Sequence, residues 1–200
     1  MMVRERTADG TLVSLPEGLG SGANAGIALK VVVGGPFNAG KSQFIRTVSD
    51  KAPLFTEARV TDGFRAIKKR TTVAMDFGVV RLSDRVSLYL FGTPGQRRFD
   101  FMWEILGKEM DGYVLLADSS RPEDLAQMRE ILKTFDSRYR VPFVVVANKQ
   151  DRPRALRPEE VRRQLGLGPQ AAVLPCVATD RDSVQRVLAA LSRSILSFTT

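Results

Sequence analysis

Histidine is missing from this chain and cysteine is nearly so. The 200 residues contain no histidine and a single cysteine, Cys176. Without histidine the commonest general base and metal ligand is lost, so any catalysis must use carboxylates, amides, lysine, arginine and a bound metal ion. One cysteine excludes an intramolecular disulfide and gives no sign of an oxidising compartment. We interpret Cys176 as a small core residue.

Long apolar runs and lipidation signals are also lacking. No segment approaches the length of a membrane span, and no charged stretch followed by an apolar core opens the chain. Position 2 is Met2 rather than glycine, and the last residues, Ser197 to Thr200, include no cysteine for prenylation. We therefore expect a cytoplasmic protein without a direct membrane anchor.

The charge balance is basic, with 30 Lys and Arg against 22 Asp and Glu and a net charge of +8. The cations are spread along the chain, and the densest group, between Arg152 and Arg163, predicts a solvated basic face, with a docking patch as the alternative. No basic motif with interleaved aromatic residues is present, so we expect no nucleic-acid partner; such binding would require a steep salt dependence.

The length and hydrophobic content suit one α/β domain. At 44% hydrophobic residues the chain can bury one core of ordinary size. Residues 1–28 are rich in Gly, Ser, Thr and Ala without a sustained period, which predicts a flexible N-terminal arm. We place the folded domain at residues 29–200.

The strongest signal is the stretch 29–43, LKVVVGGPFNAGKSQ. A β-branched run leads into Gly35-x-x-x-x-Gly40-Lys41-Ser42, and apolar residues then recur at helical spacing, which is the strand, loop and helix order of a P-loop. The loop amides and the first helical turn point unpaired N–H groups at an anion. We expect Lys41 to reach the β and γ phosphates and the Ser42 hydroxyl to bind Mg²⁺. A glycine-rich turn with an ordinary surface lysine is the alternative. The predicted phosphate-binding residues of this loop and helix start are Gly35, Asn38, Ala39, Gly40, Lys41, Ser42 and Gln43.

Strands alternate with helices along the rest of the chain. The β-rich runs 73–82 and 86–91 flank a short polar turn and predict an antiparallel hairpin, whereas 50–72 loses periodicity and predicts a long functional or mobile loop. We expect a three-layer α/β fold with a mostly parallel six-stranded sheet and one antiparallel edge strand. Ligands in such sheets lie at the carboxyl ends of the strands, where each motif falls. Further strands are predicted at 29–34, 114–117, 141–147 and 171–174, and helices at 40–49, 123–135, 159–165 and 184–195.

The segment Asn148-Lys149-Gln150-Asp151 directly follows an apolar strand and resembles the NKxD motif of small GTPases. A carboxylate can accept two hydrogen bonds from the N1–H and N2–H₂ edge of guanine, which adenine lacks. The resemblance implies that Asp151 reads this edge, that Asn148 braces the loop and the base, and that the Lys149 stem lies along the ring. It also implies a backbone contact from Ala178 to the guanine oxygen. A polar turn containing Asn and Asp is the alternative.

The segment Gly92-Thr93-Pro94-Gly95-Gln96 stands where that family carries DxxGQ. By resemblance Gly95 gives its N–H to the γ-phosphate and Gln96 orients the attacking water. The family's magnesium-holding Asp is replaced here by Gly92.

The predicted hairpin offers a replacement for that carboxylate. If Leu82 pairs with Val86, counting back along both strands sets Asp76 opposite Gly92 on the same face. We hypothesise that Asp76 replaces the absent Asp as an outer-shell holder of Mg²⁺, acting through water. The alternative is an Asp paired with a nearby Lys or Arg, since a slip of one residue would turn it to the other face.

The residues before Asp76 resemble the end of switch I. By spacing, Thr72 is the threonine that closes on Mg²⁺ and the γ-phosphate; Thr71 is the alternative, and an ordinary strand threonine is a third reading. The predicted metal ligands are therefore Ser42, Thr72 and Asp76.

These features together are similar to one bacterial branch of the Ras superfamily, the MglA type and the GTPases encoded in conservons. That branch lacks the Asp of DxxG, has Pro before its Gly and keeps an Asp four residues after its switch threonine; the resemblance covers about residues 29–195. It places an internal arginine finger directly before the switch threonine, whereas here Arg70 stands one residue earlier, with Arg97 and Arg98 as other candidates. The resemblance implies a roadblock-domain regulator as partner. The switch II helix carries more large apolar residues than one inward stripe needs, namely Phe99, Phe101, Met102 and Trp103. Core packing explains some of them, and we expect an effector to dock on the rest.

The resulting hypothesis is a Ras-like regulatory GTPase that binds GTP or GDP with Mg²⁺ and hydrolyses GTP slowly. Switch I would span about 50–76 and switch II about 92–103. The alternative is a nucleotide-bound scaffold that does not hydrolyse GTP. The predicted catalytic residues are Gln96, Lys41, Thr72 and Arg70.

Overall fold

The computed structural model describes residues 26–50, 73–95 and 101–198, together with short strands at 2–6, 12–16 and 56–58. The strands are β1 (Met2–Arg6), β2 (Leu12–Pro16), β3 (Ile27–Gly34), β4 (Thr56–Ala58), β5 (Val73–Ser83), β6 (Val86–Gly92), β7 (Gly112–Asp118), β8 (Phe143–Asn148) and β9 (Val173–Pro175). The helices are α1 (Lys41–Val48), α2 (Phe101–Leu106), α3 (Leu125–Arg138), α4 (Pro158–Leu165) and α5 (Arg181–Phe198).

One sheet carries the domain, with the strand order β4, β5, β6, β3, β7, β8, β9. The five strands β6, β3, β7, β8 and β9 run parallel to one another in that order, and β5 pairs antiparallel with β6. The predicted six-stranded, mostly parallel sheet with an antiparallel edge is thus confirmed. The short strand β4 pairs antiparallel with the outer side of β5 and adds a seventh strand within the segment predicted to be a loop.

Helices cover both faces of this sheet, so the fold has three layers, with the sheet between two layers of helices. One apolar cluster joins α1 and α5 to one face, and a second joins α2, α3 and α4 to the other. Because both faces are covered, every residue of β7 is buried and the strand shows no polar alternation. The core therefore fixes the strand ends at which the candidate motifs lie.

The helix starts differ from the predicted ones for local reasons. A 3-10 turn at Pro122–Asp124 delays α3 to Leu125, two residues after the predicted start. Helix α5 begins three residues before the predicted position, because the Asp180 carboxylate accepts hydrogen bonds from the backbone N–H groups of Asp182 (2.9 Å) and Ser183 (3.2 Å). Such capping satisfies amides that lack a partner within the helix.

The hairpin of β5 and β6 has a different turn from the predicted one. Ser83, not Leu82, pairs with Val86, and a shift between Arg81 and Ser83 takes up one extra residue. From Arg81 back the register is as predicted, with Asp76 opposite Gly92.

Strands β1 and β2 pair antiparallel with each other in a separate two-stranded sheet. They lie in the segment predicted to be a flexible arm, whose flexibility stays a prediction. The domain sheet begins with β3 at Ile27, two residues before the predicted boundary. Within the part of the chain that the structure describes, no helix is both long and apolar enough to cross a membrane.

Candidate nucleotide-binding site

Lys41 is the first residue of α1 and lies buried under the loop that follows β3. Its side chain is only 8% exposed, and its ammonium group donates hydrogen bonds to the carbonyl oxygens of Gly35 (2.9 Å) and Pro36 (2.6 Å). Burial lowers the pKa of Lys41 to about 8, while the nearby Asp76 carboxylate acts in the opposite direction. Because these hydrogen bonds go to carbonyl oxygens rather than to a carboxylate, the charge of Lys41 is available to an anion.

Asn148, at the end of β8, ties the phosphate loop to the loop after β9. Its Nδ2 donates to the carbonyl oxygen of Ala39 at 2.8 Å, and its Oδ1 accepts from the amide of Ala178 at 2.9 Å. Gly40 has a φ of 100°, and a Cβ built there would lie 2.4 Å from Asn148 Nδ2. Only glycine therefore allows both this turn and this close approach.

Ala178 occupies a positioning role in this arrangement. Its amide is bound to Asn148, and its carbonyl oxygen accepts a hydrogen bond from Thr47 Oγ1 at 2.6 Å. In this structure the amide of Ala178 already donates to Asn148. The backbone contact from Ala178 to guanine therefore stays a prediction. Cys176, nearby, is buried in the core as expected, and burial raises the pKa of its thiol to about 11.

Residues 148–151, which begin at the end of β8 and are called the base loop below, also contain a lysine held by an ion pair and an exposed carboxylate. Lys149 has a φ of 64°, and its ammonium contacts the carboxylate of Asp118 at 2.5 Å. The Asp151 side chain is 52% exposed, and its carboxylate lies 3.9 Å from Arg152 Nε. Asp151 is therefore open to a ligand.

Sequence reasoning missed Asp118. The register pairs Asp118 with Asn148 at the ends of the neighbouring parallel strands β7 and β8. An acidic residue closing an otherwise apolar strand beside the base motif was the signal that could have found it.

Ser42 and Asp76 come together next to Lys41. The Ser42 hydroxyl donates a hydrogen bond to the Asp76 carboxylate. A Cβ built on Gly92 would lie 3.0 Å from Asp76 Cβ and 2.9 Å from Ile45 Cδ1, so the Asp76 side chain fills the place that a residue 92 side chain would take. A hydroxyl and a carboxylate are hard oxygen ligands of the kind that Mg²⁺ binds.

The donor set at this position fits Mg²⁺ bound together with a phosphate. Among the described residues no group of three or more Asp, Glu or Cys side chains is placed so that it could hold a metal ion without further ligands. Mg²⁺ is usually held by one or two carboxylates, with water and substrate phosphates completing its shell. One carboxylate and one hydroxyl beside a phosphate loop match that pattern.

Gly95 lies against the phosphate loop. A Cβ built on Gly95 would be 2.7 Å from Lys41 Nζ and 2.7 Å from both the N and the Cα of Phe37. The start of the predicted switch II therefore borders the ammonium group of Lys41. Phe37 itself directs a 66% exposed side chain to solvent at the tip of the loop.

The other predicted phosphate-loop residues take three different positions. Asn38 adopts the left-handed conformation with a φ of 63°, and Ala39 is fully buried. Gln43 Nε2 donates to Thr47 Oγ1 at 3.0 Å. The Gln43 side chain is thus engaged along α1, which leaves its backbone amide as the group that can face an anion.

Several predicted residues lie outside the described residues, namely Arg70, Thr71, Thr72, Gln96, Arg97, Arg98 and Phe99. The side chains of Phe101 and Met102, within α2, are outside them too.

Of the two roles predicted for the large apolar residues of this helix, the structure gives Trp103 the one in the core. Its side chain is 7% exposed, and its ring lies 5.6 Å from that of Phe135 in α3. The Trp103 carbonyl oxygen also accepts a hydrogen bond from the Tyr139 hydroxyl at 2.9 Å. Helix α2 therefore turns this indole into the core.

Comparisons with known proteins show the fold and the family of this chain. The family model described as "Conserved hypothetical ATP binding protein" matches residues 54–194. ADP-ribosylation factor-like protein 4D of Mus musculus is 32% identical over 178 residues, which is 84% of this chain and 84% of that protein. The mutual gliding-motility protein MglA of Myxococcus xanthus is 26% identical over 150 residues, covering 70% of this chain and 76% of that protein.

A solved structure of the Arl6 BBS3 small GTPase from Trypanosoma brucei, with a bound nucleotide analogue GppNp, superposes with a TM-score of 0.63. It is 22% identical and covers 86% of this chain and 99% of that one, which confirms the Ras-like fold. The chain therefore belongs to the matched family and, among P-loop proteins, to the Ras/Arf-like small GTPases.

Proposed function

We propose that this protein is a regulatory GTPase, which binds GTP with Mg²⁺, hydrolyses it slowly to GDP and phosphate, and changes its switch segments between the two states. The observation that carries the proposal is the Asn148 bridge. Its hydrogen bond to Ala39 joins residues 109 positions apart and brings the buried cation Lys41 and the exposed carboxylate Asp151 to one edge of the sheet. Such an arrangement allows a phosphate group and a base of one nucleotide to be bound at the same time.

Guanine is the base that the chemistry of Asp151 favours. An ionised carboxylate only accepts hydrogen bonds, and the guanine edge offers two donors whereas adenine offers no such pair. The matched family's description names ATP, but its match begins at residue 54, after the phosphate loop, and the base is chosen by the residues at 148–151. We therefore assign GTP and GDP as ligands, with Asn148 and Lys149 supporting Asp151.

Ser42, Asp76 and Thr72 are the proposed Mg²⁺ ligands, directly or through water. The contact of the Ser42 hydroxyl with the Asp76 carboxylate supports the first two. The chemistry that Mg²⁺ supplies when bound is neutralisation of charge on the β and γ oxygens.

Lys41 and Gly95 connect phosphate binding to switching. Lys41 is the cation for the β and γ phosphates, and Gly95 borders its ammonium group. A terminal phosphate bound by Lys41 would lie beside Gly95, so we expect a triphosphate to move this segment more than a diphosphate does. The γ-phosphate thereby gains a differential contact with two states of the protein, which any ligand-driven switch requires.

Hydrolysis is assigned to Gln96, which orients the attacking water, with Arg70 as the proposed internal cation for the transition state. Arg70 stands one residue farther from Thr72 than in the MglA type, so we propose a slow intrinsic rate that a roadblock-domain regulator changes. An effector would dock on switch II through Phe99, Phe101 and Met102.

The first test is the identity and fate of the nucleotide. The purified protein is denatured, its nucleotide identified, and γ-phosphate release then followed in a single turnover with Mg²⁺. Bound GDP, with slow release that Gln96→Ala abolishes, supports the GTPase. Retained GTP that is never cleaved supports the second candidate, a nucleotide-bound scaffold. The closeness of Gly95 to Lys41 is compatible with this candidate as well, because it concerns binding of the phosphate and not its hydrolysis.

A substitution at Asp151 tests the base assignment separately. Asn offers one acceptor and one donor, which match the C2 carbonyl and N1–H of xanthine rather than the two donors of guanine. Asp151→Asn is expected to weaken GDP binding and to strengthen xanthosine diphosphate binding. Arg152→Gln is the matched control, because it removes the 3.9 Å ion pair but leaves the carboxylate. Equal affinity of the wild-type protein for GDP and ADP contradicts the assignment.

A further inference from the structure

Asp118 is a carboxylate with both oxygens engaged at the end of β7. Its side chain is 2% exposed, Oδ2 contacts Lys149 Nζ at 2.5 Å, and Oδ1 accepts the Ser120 amide at 3.0 Å and the Ser120 hydroxyl at 2.6 Å. Burial alone would raise the pKa of Asp118, but the hydrogen bonds from Lys149 and Ser120 outweigh it, and the net pKa is lowered. The carboxylate therefore stays ionised and fixed in orientation.

Lys149, the partner of this carboxylate, has a backbone conformation that residues with a side chain rarely adopt. Lys149 has a φ of 64°, in the left-handed region where residues other than glycine are uncommon. Conformations of this kind persist where surrounding contacts enforce them. The ion pair with Asp118 is such a contact, and it fixes the course of the lysine stem from the base loop to the end of β7.

The neighbouring residues attach the same two loops to each other. The Ser119 hydroxyl donates to the carbonyl oxygen of Asn148, and Gln150 Nε2 donates to Ser119 Oγ at 2.8 Å and to the carbonyl oxygen of Leu156 at 2.9 Å. Asp118, Ser119 and Ser120 thus form a platform under the base loop. Asp118 is the member that holds Lys149.

We propose that Asp118 is a positioning residue for nucleotide binding: by holding the Lys149 ammonium it presets the lysine stem as the wall on which the base rests. The inference rests on the proposed function, in that it takes residues 148–151 as the base site. It assigns to a residue outside that motif the task of ordering the site before the nucleotide arrives. Preorganisation of this kind lowers the entropy lost on binding and acts mainly on the dissociation rate.

The test is a double-mutant cycle on nucleotide dissociation. A fluorescent GDP derivative is bound to wild type, Asp118→Asn, Lys149→Met and the double variant, and its release is followed after addition of excess GDP. Asp118→Asn is expected to speed release by roughly ten-fold, the usual size for a lost charged hydrogen bond. In the Lys149→Met background the same change is expected to alter the rate less than about two-fold, since the two residues act as one unit.

Two further variants keep the test decisive. Asp124→Asn makes the same carboxylate-to-amide change in the connection after β7, at a residue paired with Arg121, and is expected to leave release unchanged. If Asp118→Asn does not fold, Ser120→Ala removes only the hydroxyl bond to Oδ1 and should give a smaller acceleration that also disappears without Lys149.

The outcomes separate this inference from the proposed function. An unchanged release rate in Asp118→Asn, or the same acceleration with and without Lys149, overturns the positioning role. A wild-type protein that binds ADP as tightly as GDP overturns the guanine assignment instead, and the cycle is then run with the nucleotide that binds.

Discussion

Lys41 carries a charge that burial makes sensitive to pH near the physiological range. Its pKa of about 8 belongs to the nucleotide-free protein, and phosphate groups bound beside it stabilise the cation and raise that pKa. Above pH 8 binding must therefore take up a proton. We expect GDP affinity to be insensitive to this group below pH 8 and to fall by up to about ten-fold per pH unit above it.

Titration of a fluorescent GDP derivative between pH 7 and 10 measures this effect. Lys41→Met is expected to bind weakly and to lose the pH dependence. Lys30→Met is the matched control, because burial also lowers the pKa of Lys30 but this residue lies in the middle of β3, four residues before the strand end that leads into the phosphate loop. A dependence that persists in Lys41→Met assigns it to another group.

Single residues could be predicted where their chemistry depended on local spacing. The position of Lys41 followed from the glycine pattern, and that of Asp76 from counting along a hairpin. Asp118 could not be singled out, because an Asp at a strand end is common and its partner is 31 residues away. The sequence did not decide between core and docking face for Trp103, because its burial depends on the packing of α2 against α3.

At the scale of elements, the pairing of β5 with β6 predicts where the metal ligand lies. Asp76 is opposite Gly92 and contacts Ser42, so Asp76→Ala should raise the Mg²⁺ concentration needed for tight GDP binding by roughly ten-fold or more. The readout is the GDP dissociation rate against free Mg²⁺. Asp84→Ala, an exposed Asp at the tip of the same hairpin, should behave as wild type. An unchanged Mg²⁺ dependence in Asp76→Ala refutes its role as a ligand.

Helix α2 carries a natural reporter of switching. Trp103 is the chain's single tryptophan, and its buried indole N–H finds no hydrogen-bond partner among the described residues. Since α2 follows Gly95 by a few residues, we expect replacement of GDP by a non-hydrolysable GTP analogue to shift its emission. Trp103→Phe supplies the blank. Identical spectra in both states would show that α2 does not take part in the switch.

The same emission tests the proposed partner. A change on adding a purified roadblock-domain protein would support that partner.

The elements predicted best were those with a strong apolar period. The five strands of the parallel part and all five helices, α1 to α5, were expected, with shifts of a few residues at their ends. Strand β4 was missed because its three residues lie in a segment without alternation and pair only with an edge strand. The turn of the β5–β6 hairpin was misjudged since a one-residue bulge leaves no mark on the apolar pattern.

At the scale of the whole molecule, the site joins parts of the chain that are far apart in sequence. The phosphate loop, the base loop and the loop after β9 meet through Asn148, so a nucleotide that binds all of them stabilises the folded state. At a GDP concentration about 1,000 times its Kd the gain is about 4 kcal/mol. For a chain of this size that corresponds to a rise in Tm of roughly 10 °C.

Thermal unfolding with and without GDP checks this expectation. ADP at the same concentration is the control for the base, and Lys41→Met is the control for the phosphate loop. An equal rise with ADP contradicts guanine selection, and no rise with either nucleotide contradicts the site. The fold class was predictable because alternating strands and helices admit few topologies, whereas the sheet of β1 and β2 was not, because residues 1–28 have no sustained apolar period.

The arrangement of Asp76 and Gly92 limits how these two positions can change during evolution. A carboxylate restored at position 92 alone meets the Asp76 side chain and Ile45, while loss of Asp76 alone leaves Ser42 without its partner. A lineage can therefore pass between the two arrangements only through a variant that carries both acids or neither, and each of these is at a disadvantage. The pair is expected to be inherited together, so a glycine at the end of β6 should coincide with an acid on the facing position of β5 across the relatives that share this ancestry.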